Sequence, residues 1–266
     1  MGIRSFFRNK EKRKYGWFGN YKSWEEAKND STGYEAENIL EKTKQSLSKV
    51  KSGEAVYERD SVLFDTKEYP FSVISCLLYT AIKNNNKLNV LDFGGSLGST
   101  WFQVRDFIPS NLEISWSIVE QHNHVTEGQK HFEDDILKFY YTIDDCIKDK
   151  KEIHLILLSG VIQCLEHPHD FLNELVNYPV DHILFDRTAF INEGNDRLTI
   201  QKVSPEIFNA QYPSWFFNER TFLNHFKSFT LKAEFFSSIE AEKTMAIDNK
   251  HAGYDKGLFF ERNKSS

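Results

Sequence analysis

From residue 88 the chain alternates between short apolar runs and helix-like segments, and this alternation limits the fold more than any other feature. The runs lie at 88–93, 114–119, 136–141, 153–158 and 182–185, each bounded by turn or polar residues. Helix-like segments lie between them at 99–107, 123–132, 144–150 and 169–177. Strand followed by helix at this spacing gives parallel βαβ units, which require a sheet covered on both faces. After 186 the alternation breaks. Residues 187–220 read as a polar and aromatic insertion, followed by a helix at 218–227 and two late strands near 230–236 and 257–261. The class expected is α/β, with an about seven-stranded, mostly parallel sheet over residues 88–266 and helices on both faces.

The front third, 1–87, reads as a basic N-terminus and a helical cap. Residues 24–51 space Trp24, Ala27, Ile39, Leu40, Leu47 and Val50 at helical intervals, with Gly33 interrupting. Residues 69–83 carry Val73, Ile74, Leu77, Leu78 and Ile82 behind Pro70. Six basic residues between Arg4 and Lys14 face only Glu11, with Ile3, Phe6 and Phe7 among them. That start offers either a weak peripheral contact with anionic membrane or a frayed, solvated end. The whole chain is acidic, 33 basic against 39 acidic residues, which disfavours a nucleic-acid partner. Cys76, Cys146 and Cys164 form no C-x-x-C pair, and no apolar run reaches the ~20 residues of a membrane span. A cytoplasmic protein in a reducing compartment is expected.

The most informative segment runs from Leu88 to Thr100: an apolar strand ends in Asp92 and passes through Gly94, Gly95, Ser96 and Gly98 into a helix. Glycines let a backbone approach a ligand, and a helix start offers unsatisfied N–H groups. A bare strand-to-helix turn is the alternative. Asp92 sits where a pyrophosphate loop would not favour a carboxylate, and an acid there suits a positively charged ligand. Glu120 ends the next strand, where a carboxylate can accept both hydroxyls of a ribose.

Residues 88–98 with Glu120 resemble the cofactor motifs of the Rossmann-like, S-adenosylmethionine-dependent methyltransferases, with Ser96 in place of a middle glycine. With Tyr15–Tyr21, Asp186-Arg187-Thr188 and Tyr212-Pro213-Ser214-Trp215, the chain resembles a little-characterised bacterial branch associated with surface-polysaccharide gene clusters. The resemblance implies a Rossmann-like methyltransferase fold and S-adenosyl-L-methionine as cofactor. It implies Asp92, Gly94, Gly95, Ser96, Gly98, Glu120, Ile143, Asp144, Ser159 and Gly160 as cofactor contacts, and a sugar or other small acceptor. Asp144 reads equally as a helix N-cap, and Trp101 as core or as a neighbour of the sulfonium.

Methyl transfer needs alignment and, for a hydroxyl acceptor, a base. His167 is the first candidate and His169 the second, because both follow the fourth strand at the edge where such sheets place ligands. Asp186 and Arg187 close the fifth strand and complete the candidate catalytic set. No metal-ligand spacing such as H-E-x-x-H occurs, so no metal is assigned. Trp17, Phe18 and Tyr21 at one end, and Tyr212, Trp215, Phe216, Phe217, Glu219 and Arg220 at the other, read as a lid or as hydrophobic cover. Two other functions use the same features: a non-catalytic S-adenosylmethionine-binding subunit, and an NAD(P)-dependent oxidoreductase, which the placement of Asp92 disfavours.

Overall fold

The structure, a computed structural model, describes residues 14–31, 36–207, 210–237, 239 and 242–264. The basic start up to Arg13, and the helix break at Gly33, lie outside the described residues.

The chain opens on a strand, β1 (Gly16–Tyr21). Helix α1 (Trp24–Asp30) follows, capped by the Ser23 side chain, which accepts the Glu26 N–H at 3.2 Å. Helix α2 (Ala36–Ser52) leads to a short hairpin of β2 (Tyr57–Arg59) and β3 (Val62–Phe64). Its two turn residues, Asp60 and Ser61, have φ of 51° and 68°, the left-handed pair that matches the twist of a two-residue hairpin. Helix α3 (Phe71–Lys83) completes the front third. This region is therefore not a purely helical cap. Residues 16–21 pair with strands from the far end of the chain, so the boundary read at 87/88 does not separate the sheet from what precedes it.

The expected alternation follows as β4 (Lys87–Phe93), α4 (Ser99–Val104), β5 (Glu113–Val119), α5 (His122–His131), β6 (Leu137–Tyr140), α6 (Ile143–Lys150), β7 (Ile153–Ser159), α7 (Pro168–Leu175) and β8 (Val180–Ile191). The strands stand in the order β6-β5-β4-β7-β8, all parallel. Their near-continuous apolar runs are buried on both sides. Leu88, Val90, Leu155 and Leu157 face a core built with α2 to α5, and Leu91, Ile156 and Leu158 face one built with α6 to α8.

The sheet is larger and more mixed than expected. Residues 187–220 are not an insertion. β8 continues through Arg187 to Ile191, and β9 (Arg197–Lys202) and β10 (Gln211–Asn218) follow as strands. Helix α8 (Glu219–Leu223) then leads to β11 (Phe229–Phe236), β12 (Met245–Ile247) and β13 (Lys250–Arg262). β13 lies antiparallel between β8 and β11, extending the open sheet to seven strands. The far halves of β8 and β13 also join β10, β9, β1 and β12 into a closed ring of six: β8-β10-β9-β1-β12-β13. Ala189, Phe216, Met245 and Ile247 pack together here, with Trp17 edge-on to Phe216 at 5.7 Å. Of the two readings of these aromatics, lid or hydrophobic cover, the packing fits cover: Phe217 is packed against Phe190 and Phe222, and the Trp215 indole donates to the Leu165 carbonyl at 3.1 Å. No helix among the described residues is long and apolar enough to cross a membrane.

Candidate functional site

The open sheet reverses its direction of growth between β4 and β7. From β4 the chain builds outward to β5 and β6, then crosses back to lay down β7 and β8 on the other side. Helices leave the two central strands on opposite faces at that point, so a crevice opens beyond their carboxyl ends. The loop Gly94–Gly98 after β4 and Ser159-Gly160 after β7 border it.

The loop needs its unusual backbone. Gly94, Ser96 and Gly98 have φ of 72°, 54° and 99°. A side chain on Gly95 would stand 2.6 Å from the Asp92 carboxyl and 2.8 Å from Ile118. The loop therefore sits directly on Asp92, which is 0% exposed. One Asp92 oxygen accepts the Trp116 indole N–H at 3.0 Å; the other, Oδ1, has no partner among the described residues. Burial pushes this carboxyl up to about 7, with the Glu120 charge adding to the effect and the Trp116 bond opposing it. A side chain with no exposed surface does not face the crevice, so Asp92 supports the loop instead of meeting a ligand's charge. Glu120, at the tip of β5, is half-buried and uses one oxygen to accept the Gln121 N–H at 2.7 Å.

The remaining cofactor candidates divide. Gly160, at φ 67°, has no atom of the other described residues within 4 Å of the position a Cβ would take, so the crevice is open there. The Ser159 hydroxyl donates to Asp186 at 2.9 Å. Ile143 is a buried residue of the α6-side core, and Asp144 is exposed in the first turn of α6. The N-cap is Thr142, whose hydroxyl accepts the Asp145 N–H at 3.0 Å, so Asp144 does not cap that helix. Trp101 is buried against Trp116, ring centroids 5.6 Å apart, as a core residue.

The two histidines do not reach this crevice through any contact among the described residues. The His167 side chain is 75% exposed, with Glu166 at 3.9 Å as its neighbour. His169 links Asp196 at 2.5 Å to His225 at 2.8 Å, and His225 reaches Asn173 at 2.8 Å. The Asp196 bond raises the His169 pKa. Asp196 also accepts the Asn218 N–H at 2.6 Å, so His169 fastens α7 to the start of α8. Asp186 and Arg187 do stand together at the crevice. Arg187 bonds Glu242 at 2.8 Å and Asp60 at 3.2 Å, and these acids hold its pKa well above the ordinary value against the cost of burial.

The hairpin residues Glu58 and Asp60 escaped the sequence reading. Glu58 is buried, accepts the Ser61 N–H at 2.7 Å and the Ser99 hydroxyl at 2.8 Å, and is pushed up to about 7 by burial. The hairpin thus reaches from the start of α4 to Arg187 within β8. Its sequence signal was only a polar Asp-Ser pair between short apolar stretches, which marks a turn without saying what the turn touches.

Fold and crevice together define a doubly wound α/β protein with an acid-supported glycine loop at its switch point. No protein-family profile and no curated protein matches the chain. Among solved structures it is similar to the N-terminal domain of EvdMO1 with S-adenosylhomocysteine bound, at 9% identity over 71% of this chain and 81% of that one, TM-score 0.43. It is also similar to magnesium protoporphyrin IX methyltransferase from Synechocystis PCC 6803 with bound S-adenosylmethionine, at 13% over 72% and 78%, TM-score 0.42. A third is the 1,6-didemethyltoxoflavin-N1-methyltransferase of Burkholderia thailandensis, at 11% over 87% and 92%, TM-score 0.44. All three scores lie below 0.5, and the identities are too low to transfer a residue or an activity to this chain.

Proposed function

We propose that the chain is an S-adenosylmethionine-dependent methyltransferase acting on a small acceptor. The observation that carries this is the pairing, at one switch point, of a glycine loop seated on a buried acid with a second acid, Glu120, at the tip of the neighbouring strand. A half-buried carboxylate at that tip suits the hydroxyls of a ribose, and the open space at Gly160 gives a ligand room between the two central strands. In this reading Gly94, Gly95, Ser96 and Gly98 present backbone to the cofactor, Ser159 and Gly160 border it, and Ile143 and Asp144 flank its base. Asp92 is a positioning residue beneath the loop.

The bound cofactor supplies an electrophilic methyl group carried on a sulfonium. The chain's part is to align the acceptor, exclude water and hold the proton the acceptor gives up. Asp186 suits that last role better than His167, because it borders the open crevice while His167 stands in solvent. The resemblance of the sequence supports a sugar-like or glycan acceptor from surface-polysaccharide synthesis in a bacterial cytoplasm, with no nucleic acid as partner.

Thermal unfolding with S-adenosylmethionine, S-adenosylhomocysteine, NAD and NADP in parallel tests the proposal. A ligand at 100 times its Kd stabilises by about 2.7 kcal/mol, roughly 5–10 °C for a chain of this size. A shift with the first two alone, lost in Glu120→Ala, is the expected result. A shift with NAD or NADP instead overturns it.

A further inference from the structure

The glycine loop is packed closely from beneath and from the side. A Cβ on Gly94 would stand 2.3 Å from the Val161 side chain, one on Gly95 2.6 Å from the Asp92 carboxyl, and one on Gly98 3.1 Å from Leu137. Ser96 takes a left-handed φ of 54° without being a glycine, and such backbone persists only where its surroundings over-determine it. At the exit of the loop the N-cap of α4 is Gly98, which has no side chain to bond the first turn. The hydroxyl of Ser99, the next residue, donates instead to Glu58 Oε2 at 2.8 Å.

Glu58 is 2% exposed, and its two oxygens are divided between two residues. Oε1 accepts the Ser61 N–H at 2.7 Å and Oε2 accepts Ser99. Ser61 is fixed in turn from α2: its hydroxyl lies 2.7 Å from that of Thr43, and its carbonyl accepts the Ser46 hydroxyl at 2.7 Å. Further along α4 the Gln103 amide donates to the Tyr57 hydroxyl at 2.9 Å, a second bond between this helix and β2. Burial pushes the Glu58 carboxyl up to about 7, with Asp60 adding to the effect and the two bonds opposing it. An apolar side chain would cover α4 without that desolvation cost, but it would not fix where Ser99 stands. We propose that Glu58 is a positioning residue for cofactor binding, acting through Ser99 to hold the exit of the loop Gly94–Gly98. The proposal rests on the methyltransferase reading and deepens it. Cofactor affinity then depends on a hairpin residue 41 positions before the helix start it holds.

Calorimetric titration of the full chain with S-adenosylhomocysteine, beside amide exchange of the ligand-free chain, tests this. Glu58→Ala is expected to weaken binding roughly tenfold, the factor that one buried hydrogen bond carries. It is also expected to raise exchange across Gly98–Val104 by a few fold. Glu58→Gln keeps an acceptor for Ser61 and turns an NH2 toward Ser99, whose hydroxyl can accept as well as donate, so it is expected to bind as wild type does. Ser99→Ala gives the same loss as Glu58→Ala, and the double variant no further loss, since all three remove one interaction. Trp17→Ala, in the closed ring, lowers Tm and leaves the affinity unchanged, which separates positioning from stability. Should Glu58→Ala fail to fold, Ser99→Ala carries the test alone. Unchanged affinity in Ser99→Ala or Glu58→Ala, losses that add in the double variant, or an equal loss in Trp17→Ala overturns the proposal alone. A wild-type chain that does not bind S-adenosylhomocysteine overturns the methyltransferase reading and the cofactor role of Glu58 together.

Discussion

Asp92 joins the support of the loop to the cost of maintaining it. Its carboxyl is buried, bonded among the described residues through one oxygen only, and pushed up to about 7, against about 3.9 in an unfolded chain. Between those values the folded state binds more protons than the unfolded one, so this residue's contribution falls as pH rises. It is fully present below about pH 4 and lost by about pH 7. Asp92→Asn keeps an acceptor for Trp116 and removes the titration. The stability difference between variant and wild type is expected to shift in favour of Asn by up to roughly 1.4 kcal/mol per pH unit across that window. Denaturant unfolding at several pH values measures it, and a difference independent of pH would show that Asp92 stays ionised. Gly95→Ala places a methyl 2.6 Å from the same carboxyl, and a loss of about 1–3 kcal/mol is expected from such overpacking. The acid and the glycines were legible in the sequence as residue types. The direction of the acid was not, because β4 is buried on both faces and its alternation does not say which way Asp92 points.

At the scale of elements, the hairpin β2–β3 acts as a strap. Glu58 holds its near end to α4, Asp60 its tip to Arg187, and Thr43 and Ser46 of α2 bond Ser61 at 2.7 Å each. The Asp60–Arg187 pair is half-exposed, and pairs of that kind contribute about 0.2–1 kcal/mol. Asp60→Asn is therefore expected to leave Tm nearly unchanged while raising amide exchange across Tyr57–Phe64 by a few fold, since local opening needs far less free energy than global unfolding. Unchanged exchange would mean that Glu58 and the α2 contacts hold the hairpin without its tip. The elements between 88 and 186 were readable because each combines an apolar run with a turn signal, and the period decides between helix and strand. The hairpin was not, since two three-residue strands carry too few positions for any period.

At the scale of the molecule, the closed ring makes the first strand depend on the last. β1 lies between β9, antiparallel, and β12, parallel, and its pairing of Trp17 with Ile247 joins residues 230 positions apart, the difference between their numbers. No local pattern announces such a partner, which is why residues 16–21 read as part of a cap. Arg197 ties the closure further, bonding the Gly19 carbonyl at 2.9 Å and the Asp248 carboxylate, while Asp248 accepts the Gly19 N–H at 2.9 Å. Removing residues 1–22 would unpair one side of β9 and of β12 and uncover Phe216, Met245 and Ile247. Unpaired strand edges beside exposed apolar surface promote association between chains. The truncated chain is thus expected to bind a hydrophobic dye and to form oligomers in light scattering, with a lowered Tm. Trp17→Ala, which keeps the strand and deletes its contact with Phe216, is expected to cost about 2–3 kcal/mol, less than a fully buried aromatic because Trp17 is half-buried. A truncated chain that stayed monomeric with an unchanged Tm would make the ring an ornament on a self-sufficient open sheet. The loss expected here instead makes the far halves of β8 and β13 common to both, so that opening the ring disturbs the strand that carries Asp186 and Arg187 to the crevice.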